Sequence, residues 1–213
     1  KLKTLLGASL LAAAWAGGAF AQTRLVTLGT EGGPLPSTAR SQPANALMVG
    51  DKGYVIDAGD GVLRQLYAAG IDLRKVRQIF ITHDHDDHNA GWGSLLGVQW
   101  DLGIWPVDVY APSAKSMMNG FLQYFSVNAR IRQADSKSGK LPPEKAFHAH
   151  DIQGNGLVFK DDLISVTAQE NCHYKVDPAA DAKRGKQDRS YALRIQTPDK
   201  TIVFSGDTGQ CPA

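Results

Sequence analysis

Six consecutive positions, His83-Asp84-His85-Asp86-Asp87-His88, carry three imidazoles and three carboxylates, directly after the apolar run Val76-Arg77-Gln78-Ile79-Phe80-Ile81. That run has the composition of a strand. A strand emptying into such a cluster constrains the fold: its donors must stand at the edge of a sheet, where α/β proteins tend to bind ligands. Neutral imidazole nitrogen and carboxylate oxygen are the donors preferred by Zn²⁺ and its first-row neighbours. In His83-x-His85, alternate side chains of an extended chain point the same way, so one ion can take both rings. Asp87 and His88 are adjacent and diverge, which suits a second ion beside the first. An isolated His or Asp is ordinarily a solvated loop residue; this density of donors at a strand end favours metal.

The same order, apolar strand then polar ligand type, recurs at Tyr54-Val55-Ile56-Asp57 and at Ile202-Val203-Phe204-Ser205-Gly206-Asp207. Several strand ends are therefore expected to converge on one pocket. Around them, strands are expected at Arg24–Leu28, Ala46–Val49 and Val107–Tyr110, and helices at Val62–Ala69, at Trp92–Val98 and from Pro112 to about Arg132. Residues 134–151 read as an exposed loop. Hairpins are expected within Leu157–Thr167 and across Ser190–Phe204, the second turning at Pro198-Asp199-Lys200. Strands with interspersed helices indicate an α/β or α+β protein, with one domain and no repeats.

Composition bounds the partners. The chain has 213 residues, 43% hydrophobic, enough apolar surface for one sizeable core. Residues 1–21 read as an export signal: Lys1 and Lys3 form a basic start, Leu5 to Ala14 an apolar middle, and Ala19-Phe20-Ala21 a small-x-small cleavage site. Gly17-Gly18 interrupts the apolar stretch, which is short for a membrane span. The mature chain, 22–213, is then periplasmic or secreted, with no membrane contact after cleavage. The signal holds two of the 23 Lys and Arg and none of the 21 Asp and Glu, so the mature chain has no net charge. That disfavours nucleic acid, whose sequence-independent grip depends on neutralising phosphates, and points to a small-molecule substrate. Lys183-Arg184-Gly185-Lys186 is a small basic island of the kind usually found in solvated loops.

With these residues in view, the chain resembles the metallo-β-lactamase superfamily. H-x-H-x-D-H after an apolar strand is similar to that family's signature. Thr27-Leu28-Gly29-Thr30-Glu31-Gly32-Gly33-Pro34 is similar to the N-terminal segment of its ribonuclease Z and arylsulfatase-like branch. Ile56-Asp57-Ala58-Gly59 resembles the family's strand-end Asp. Ser190 to Ile195 followed by Phe204-Ser205-Gly206-Asp207-Thr208-Gly209 resembles its late hairpin. The resemblance implies a four-layer αβ/βα sandwich. It also implies that His83, His85 and His173 hold one ion, that Asp87 and His88 hold another, and that Asp207 bridges them. Asp57 would orient ligands from behind. The family supplies a further His well after the S-G-D-T-G segment, whereas this chain stops at Ala213. That stop and the missing start Met imply an incomplete sequence, with the C-terminal strands and helix outside it. His148-Ala149-His150 repeats the H-x-H form but lies in the expected loop with no apolar strand before it, and is left out of the site. Cys172 and Cys211 flank His173 and Asp207. Export permits a disulfide between them, and a free buried thiol or a partner beyond the visible chain is equally open.

The chemistry implied is that of an exported metal-dependent hydrolase. Two Zn²⁺ ions would hold a hydroxide, Asp87 would orient it and take its proton, and an ester-type bond (phosphodiester, sulfate ester, lactone) or β-lactam would be cut. There is no G-x-S-x-G elbow and no S-x-x-K, which argues against serine enzymes. Flavodiiron redox proteins share the fold but have Glu where His85 stands, so nitrogen-rich ligation favours zinc. The alternative is a non-catalytic or degenerate metal-binding domain of the same fold. Trp92, Trp100 and Trp105 could line an aromatic pocket; core packing is the plainer expectation.

Overall fold

The computed structural model describes residues 22–136, 139–175, 177–185 and 188–211. The expected signal, residues 1–21, and Lys186 lie outside the described residues.

Three antiparallel strands open the fold: β1 (Thr23–Gly29), β2 (Ala44–Val49) and β3 (Lys52–Ala58). The chain then turns parallel, pairing β3 with β4 (Val76–Phe80), β4 with β5 (Val107–Ala111) and β5 with β6 (Phe147–Asp151). Parallel strands need crossovers. These are α1 (Val62–Ala68); the single turn α2 (Asp86–Asn89) with α3 (Trp92–Asp101); and α4 (Ala114–Asp135) with the short α5 (Pro143–Ala146). The result is a six-stranded sheet in sequence order.

A second sheet, antiparallel throughout, is built from β7 (Gly156–Lys160), β8 (Ser165–Glu170), β9 (Tyr191–Gln196) and β10 (Thr201–Phe204), in the order β10-β9-β8-β7. The one-turn helix α6 (Pro178–Asp181) lies between β8 and β9.

The central strands explain the layering. β3 is buried on both faces: Val55 enters one apolar cluster while Tyr54 and Ile56 enter another. The first cluster joins the six-stranded sheet to α1, α3 and α4, and the second joins the two sheets face to face. Among the described residues the layers are thus helices, sheet, sheet. Trp100 is fully buried between α3 and α4, and its indole N–H donates to the Leu141 carbonyl at 2.7 Å. Trp92 packs on Phe121, and Trp105 lies against the same core. These three tryptophans are packing residues.

One expectation fails. Residues 134–151 are not an exposed loop: α4 runs to Asp135, α5 follows at Pro143, and Phe147–Asp151 is a strand. Phe147 and Ala149 face the helical core while His148 and His150 face the other way. The period-two alternation is real but only five residues long, with histidine on its polar face, and without β-branched residues it carries little strand signal. The other predicted elements occur within a few residues of their expected bounds. β8 extends to Glu170, three residues past the expected hairpin end.

β3 and β4 run parallel in one sheet, and β8 and β10 flank β9 in the other, so each pair delivers its C-terminal ends to one edge. Four strand exits meet there.

Candidate metal centre

Asp57 stands at the exit of β3 and His83 just beyond β4. His173 follows β8 and Asp207 follows β10. His85 caps the N-terminus of α2, and that turn presents Asp87 and His88. Two glycines let these exits come close. A Cβ on Gly59 would lie 2.1 Å from the Asp87 carbonyl oxygen, so only glycine lets β3 exit beside α2. Gly206 has φ +58°, and a Cβ there would meet Thr82 Cβ at 2.9 Å. The Tyr191 N–H donates to the Thr82 carbonyl at 3.0 Å, tying the second sheet to the exit of β4.

Asp57 organises the buried half. Its Oδ1 accepts from the Thr82 N–H at 2.8 Å; its Oδ2 lies 3.1 Å from Thr82 Oγ1 and 2.8 Å from His88 Nδ1. The consistent proton assignment has His88 Nδ1–H and the Thr82 hydroxyl both donating to Asp57. Thr82 Oγ1 is then free to accept from His83 Nδ1–H at 3.1 Å. Both rings are thereby held with Nε2 unprotonated and turned inward. Asp57 itself sits at φ 56°, a left-handed conformation that Asp tolerates better than most residues.

The inward nitrogens crowd. His83 Nε2 is 3.2 Å from His85 Nδ1, and His173 Nε2 is 3.1 Å from the same His85 atom. With all three nitrogens unprotonated, as ligation requires, their lone pairs at that separation repel unless something positive lies between them. The edge of a tetrahedron with zinc–nitrogen bonds of 2.0–2.1 Å is about 3.3 Å, so the donor set fits such an ion. A second group forms beside it. His88 Nε2 is buried with no hydrogen-bond partner, 3.3 Å from Asp207 Oδ1 and 3.7 Å from Asp87 Oδ2. A nitrogen facing two carboxylates likewise calls for positive charge, supplied by a cation or by the ring's own second proton. The donors of His83, His85 and His173 lie within 4.8 Å of one another, as do those of His83, His88 and Asp207. His83 belongs to both groups.

Electrostatics follow the same division. Burial pushes the His83 pKa down to about 2, helped by the neighbouring His88, His173 and His85, so the ring is neutral and able to ligate. Burial, then His85, also lowers that of His173. At His88 burial opposes the charged form, but the hydrogen bond to Asp57 and the charges of Asp57, Asp207 and Asp87 outweigh it, and the net shift is upward. Those carboxylates demand positive charge at the spot where Nε2 points.

The structure thus brings together all six residues expected to ligate, with Asp57 behind them. Asp87 is buried in α2 and touches the second group at its margin. The loop that carries His173 is fastened to the exit of β10. Asn171 Nδ2 donates to the Ser205 carbonyl at 2.8 Å, and Cys172 and Cys211 are joined in a disulfide. Three contributors were missed in the sequence. Thr82 relays between Asp57 and His83. The Tyr174 ring packs on His85 and His173, and burial pushes its phenol up to about 12. The Asp84 carboxyl is pushed up by burial, and its Oδ1 is buried without a partner. Thr82 lies inside the strand-to-ligand junction and could have been found there. Tyr174 carries no spacing signal, and Asp84 lies inside the His/Asp cluster without standing out from it.

A family model described as "Anti-Pycsar protein Apyc1" matches residues 23–213. Among curated proteins, ribonuclease Z of Mycolicibacterium gilvum (strain PYR-GCK) is 26% identical over 192 residues, 87% of this chain and 62% of its own length. Ribonuclease Z of Pyrococcus abyssi (strain GE5 / Orsay) is 32% identical over 151 residues, 64% of this chain and 48% of its own. The chain therefore spans less than two thirds of these relatives. Among solved structures, human tRNase Z, short form, superposes with a TM-score of 0.63 at 20% identity, covering 87% of this chain and 69% of that one. The metallo-β-lactamase fold protein YhfI from Bacillus subtilis gives 0.63 at 18%, covering 89% and 64%. At such identities these structures speak for the fold, and the fold is that of the metallo-β-lactamases.

Proposed function

This chain belongs to the Anti-Pycsar protein Apyc1 family, within the metallo-β-lactamase superfamily of hydrolases related to ribonuclease Z, and we propose that it is a zinc-dependent phosphodiester hydrolase acting on a small exported-compartment substrate. The observation that carries this reading is the buried, unpartnered His88 Nε2 facing Asp207 and Asp87 beside three crowded imidazoles. A pair of zinc ions, when bound, supplies an acidified water and Lewis-acid polarisation of the scissile group. His83, His85 and His173 would hold one ion; His88 and Asp87 would hold the other, with Asp207 between.

The chain's own groups do the rest. Asp57 and Thr82 keep His83 and His88 in the ligating tautomer, so no proton must leave either ring when substrate arrives. The Asp87 carboxylate is buried beside His88 Nε2, where it would orient an attacking water and take its proton. Asp207, its side chain 46% exposed, and the exposed His85 face solvent, leaving an approach for substrate.

Phosphodiester is preferred to sulfate ester, lactone or β-lactam because the curated relatives are ribonucleases, which cut that bond. A small substrate is preferred to RNA because residues 22–213 carry no net charge to hold a polyanion. Export is supported by the Lys1–Ala21 pattern and by the disulfide, which suits an oxidising compartment. Fractionation of the native host should recover the protein outside the cytoplasm with Gln22 near its N-terminus.

The test is hydrolysis of bis(p-nitrophenyl) phosphate by the natural full-length protein. Chelation should abolish turnover and Zn²⁺ should restore it. Turnover indifferent to chelator refutes the mechanism, and a zinc-loaded protein inert to a panel of esters supports a binding domain instead.

A further inference from the structure

The chain has six histidines, and the metal centre uses four of them. The remaining two are His148 and His150, on the edge strand β6, and both reach the same carboxylate. Parallel pairing sets His148 opposite Asp108 and His150 opposite Tyr110. His150 Nε2 lies 2.7 Å from Asp108 Oδ1, and His148 Nδ1 lies 3.4 Å from that same oxygen. Tyr110 stacks on the His150 ring at 4.5 Å and 14°, fixing its plane. Among the described residues no Lys or Arg pairs with Asp108, and the titratable groups within ion-pair distance of it are these two rings.

We propose that Asp108, His148 and His150 form a second site for a divalent transition cation of the zinc class, clipping the edge strand β6 to β5. Two imidazoles and a carboxylate are a complete protein donor set for zinc, with water as the fourth ligand. The period of the strand accounts for the geometry, since residues two apart share a face and the paired strand offers a third donor opposite His148 that also reaches His150. The site is looser than the catalytic one, whose donors all lie within 4.8 Å of one another. Closing it requires rotation of the half-exposed His148 ring, whose side-chain polar contact among the described residues is the 3.4 Å one to Asp108. His150, stacked on Tyr110, needs little movement. The cation would neutralise a carboxylate that, among the described residues, has no Lys or Arg within ion-pair distance.

Equilibrium dialysis against Zn²⁺ with elemental analysis tests this on the oxidised chain. The variants are His148→Ala/His150→Ala, Asp108→Asn and His83→Ala. The double variant should bind one zinc fewer than the parent while keeping its phosphodiester turnover. His83→Ala should retain that equivalent, which separates this site from the catalytic one whether or not the latter functions. Asp108→Asn preserves shape and should weaken the same equivalent by about tenfold or more; it decides the matter should the double variant misfold. Equal zinc counts and affinities in parent and Asp108→Asn would overturn the proposal and leave the cluster a hydrogen-bonded strand clamp.

Discussion

His83 and His85 leave the C-terminal end of a central strand, whereas His148 and His150 lie within an edge strand, and both pairs have one residue between them. At the first site the carboxylate that matters, Asp57, sits behind His88 directly and behind His83 through Thr82, turning the free Nε2 of each inward. At the second, Asp108 sits between the rings and takes their nitrogens itself. The first pair meets ligands from three further chain segments; the second has only its neighbouring strand. A short motif therefore says which donors are present, and the strand's place in the sheet says what they can do. The sharpest way to break this comparison is to remove one ring from each. His83→Ala strips both donor groups at once and should cut phosphodiester turnover by at least about 10³-fold, several kcal/mol of transition-state stabilisation. His148→Ala should leave turnover within about twofold. Equal losses would mean the two regions are not functionally distinct. Far-ultraviolet circular dichroism of both variants checks that the fold survives.

The next largest effect concerns how the distant segments are kept at the first site. His173 and Asp207 ride on the loops that follow β8 and β10, and the Cys172–Cys211 bond joins those loops across 39 residues. Closing a loop of that length removes unfolded-state entropy equivalent to about 4 kcal/mol at 25 °C. Cys172→Ser/Cys211→Ser, or reduction, should lower Tm by about 10 °C, the scale such a loss implies for a chain of this size. It should also weaken zinc binding at the His173 group. The edge-strand pair, whose ligands are held by β-ladder hydrogen bonds, should keep its affinity under the same treatment. Loss of zinc from both regions together would show that the disulfide supports the fold as a whole rather than the site.

Those same contrasts explain what could be read from the residues. Asp57, His83 and Asp207 were legible because each follows an apolar strand long enough to declare itself. His173 follows one too, but β8 continues through Gln169 and Glu170, polar positions that hid the strand's true end from a hydrophobic pattern. β6 was invisible for a related reason: Phe147 and Ala149 alone mark its core face. Pairing between strands, and with it the meeting of Asp108 with His148, depends on register, which no local pattern carries. The disulfide stayed open because its formation depends on the two loops arriving within 5.2 Å between Cα atoms, a tertiary fact. The tautomers of His83 and His88 were likewise beyond reach, since they follow from Thr82 and Asp57 together.

Those tautomers yield the smallest and most discriminating effect. Asp57→Asn keeps the side chain's size, and Asn accepts the left-handed backbone that Asp57 adopts at φ 56°. It replaces one of two acceptor oxygens with a donor. If the amide nitrogen turns toward His88, it must donate to Nδ1, and the ring proton is driven to Nε2, where it blocks the inward lone pair. If the oxygen turns toward His88, the amide nitrogen meets the Thr82 N–H, donor against donor, and the relay to His83 is strained. Either way zinc affinity should fall about 10- to 100-fold, the usual consequence of losing a carboxylate behind a ligating histidine. Turnover at saturating zinc should recover most of its parent value, because no group touching substrate has changed. At the edge strand, Asp108→Asn removes a donor outright, so excess zinc should not restore that equivalent at concentrations that rescue Asp57→Asn. An Asp57→Asn protein with parent zinc affinity would mean the carboxylate merely braces the backbone at Thr82, and the difference between a carboxylate behind the rings and one between them would lose its chemical basis.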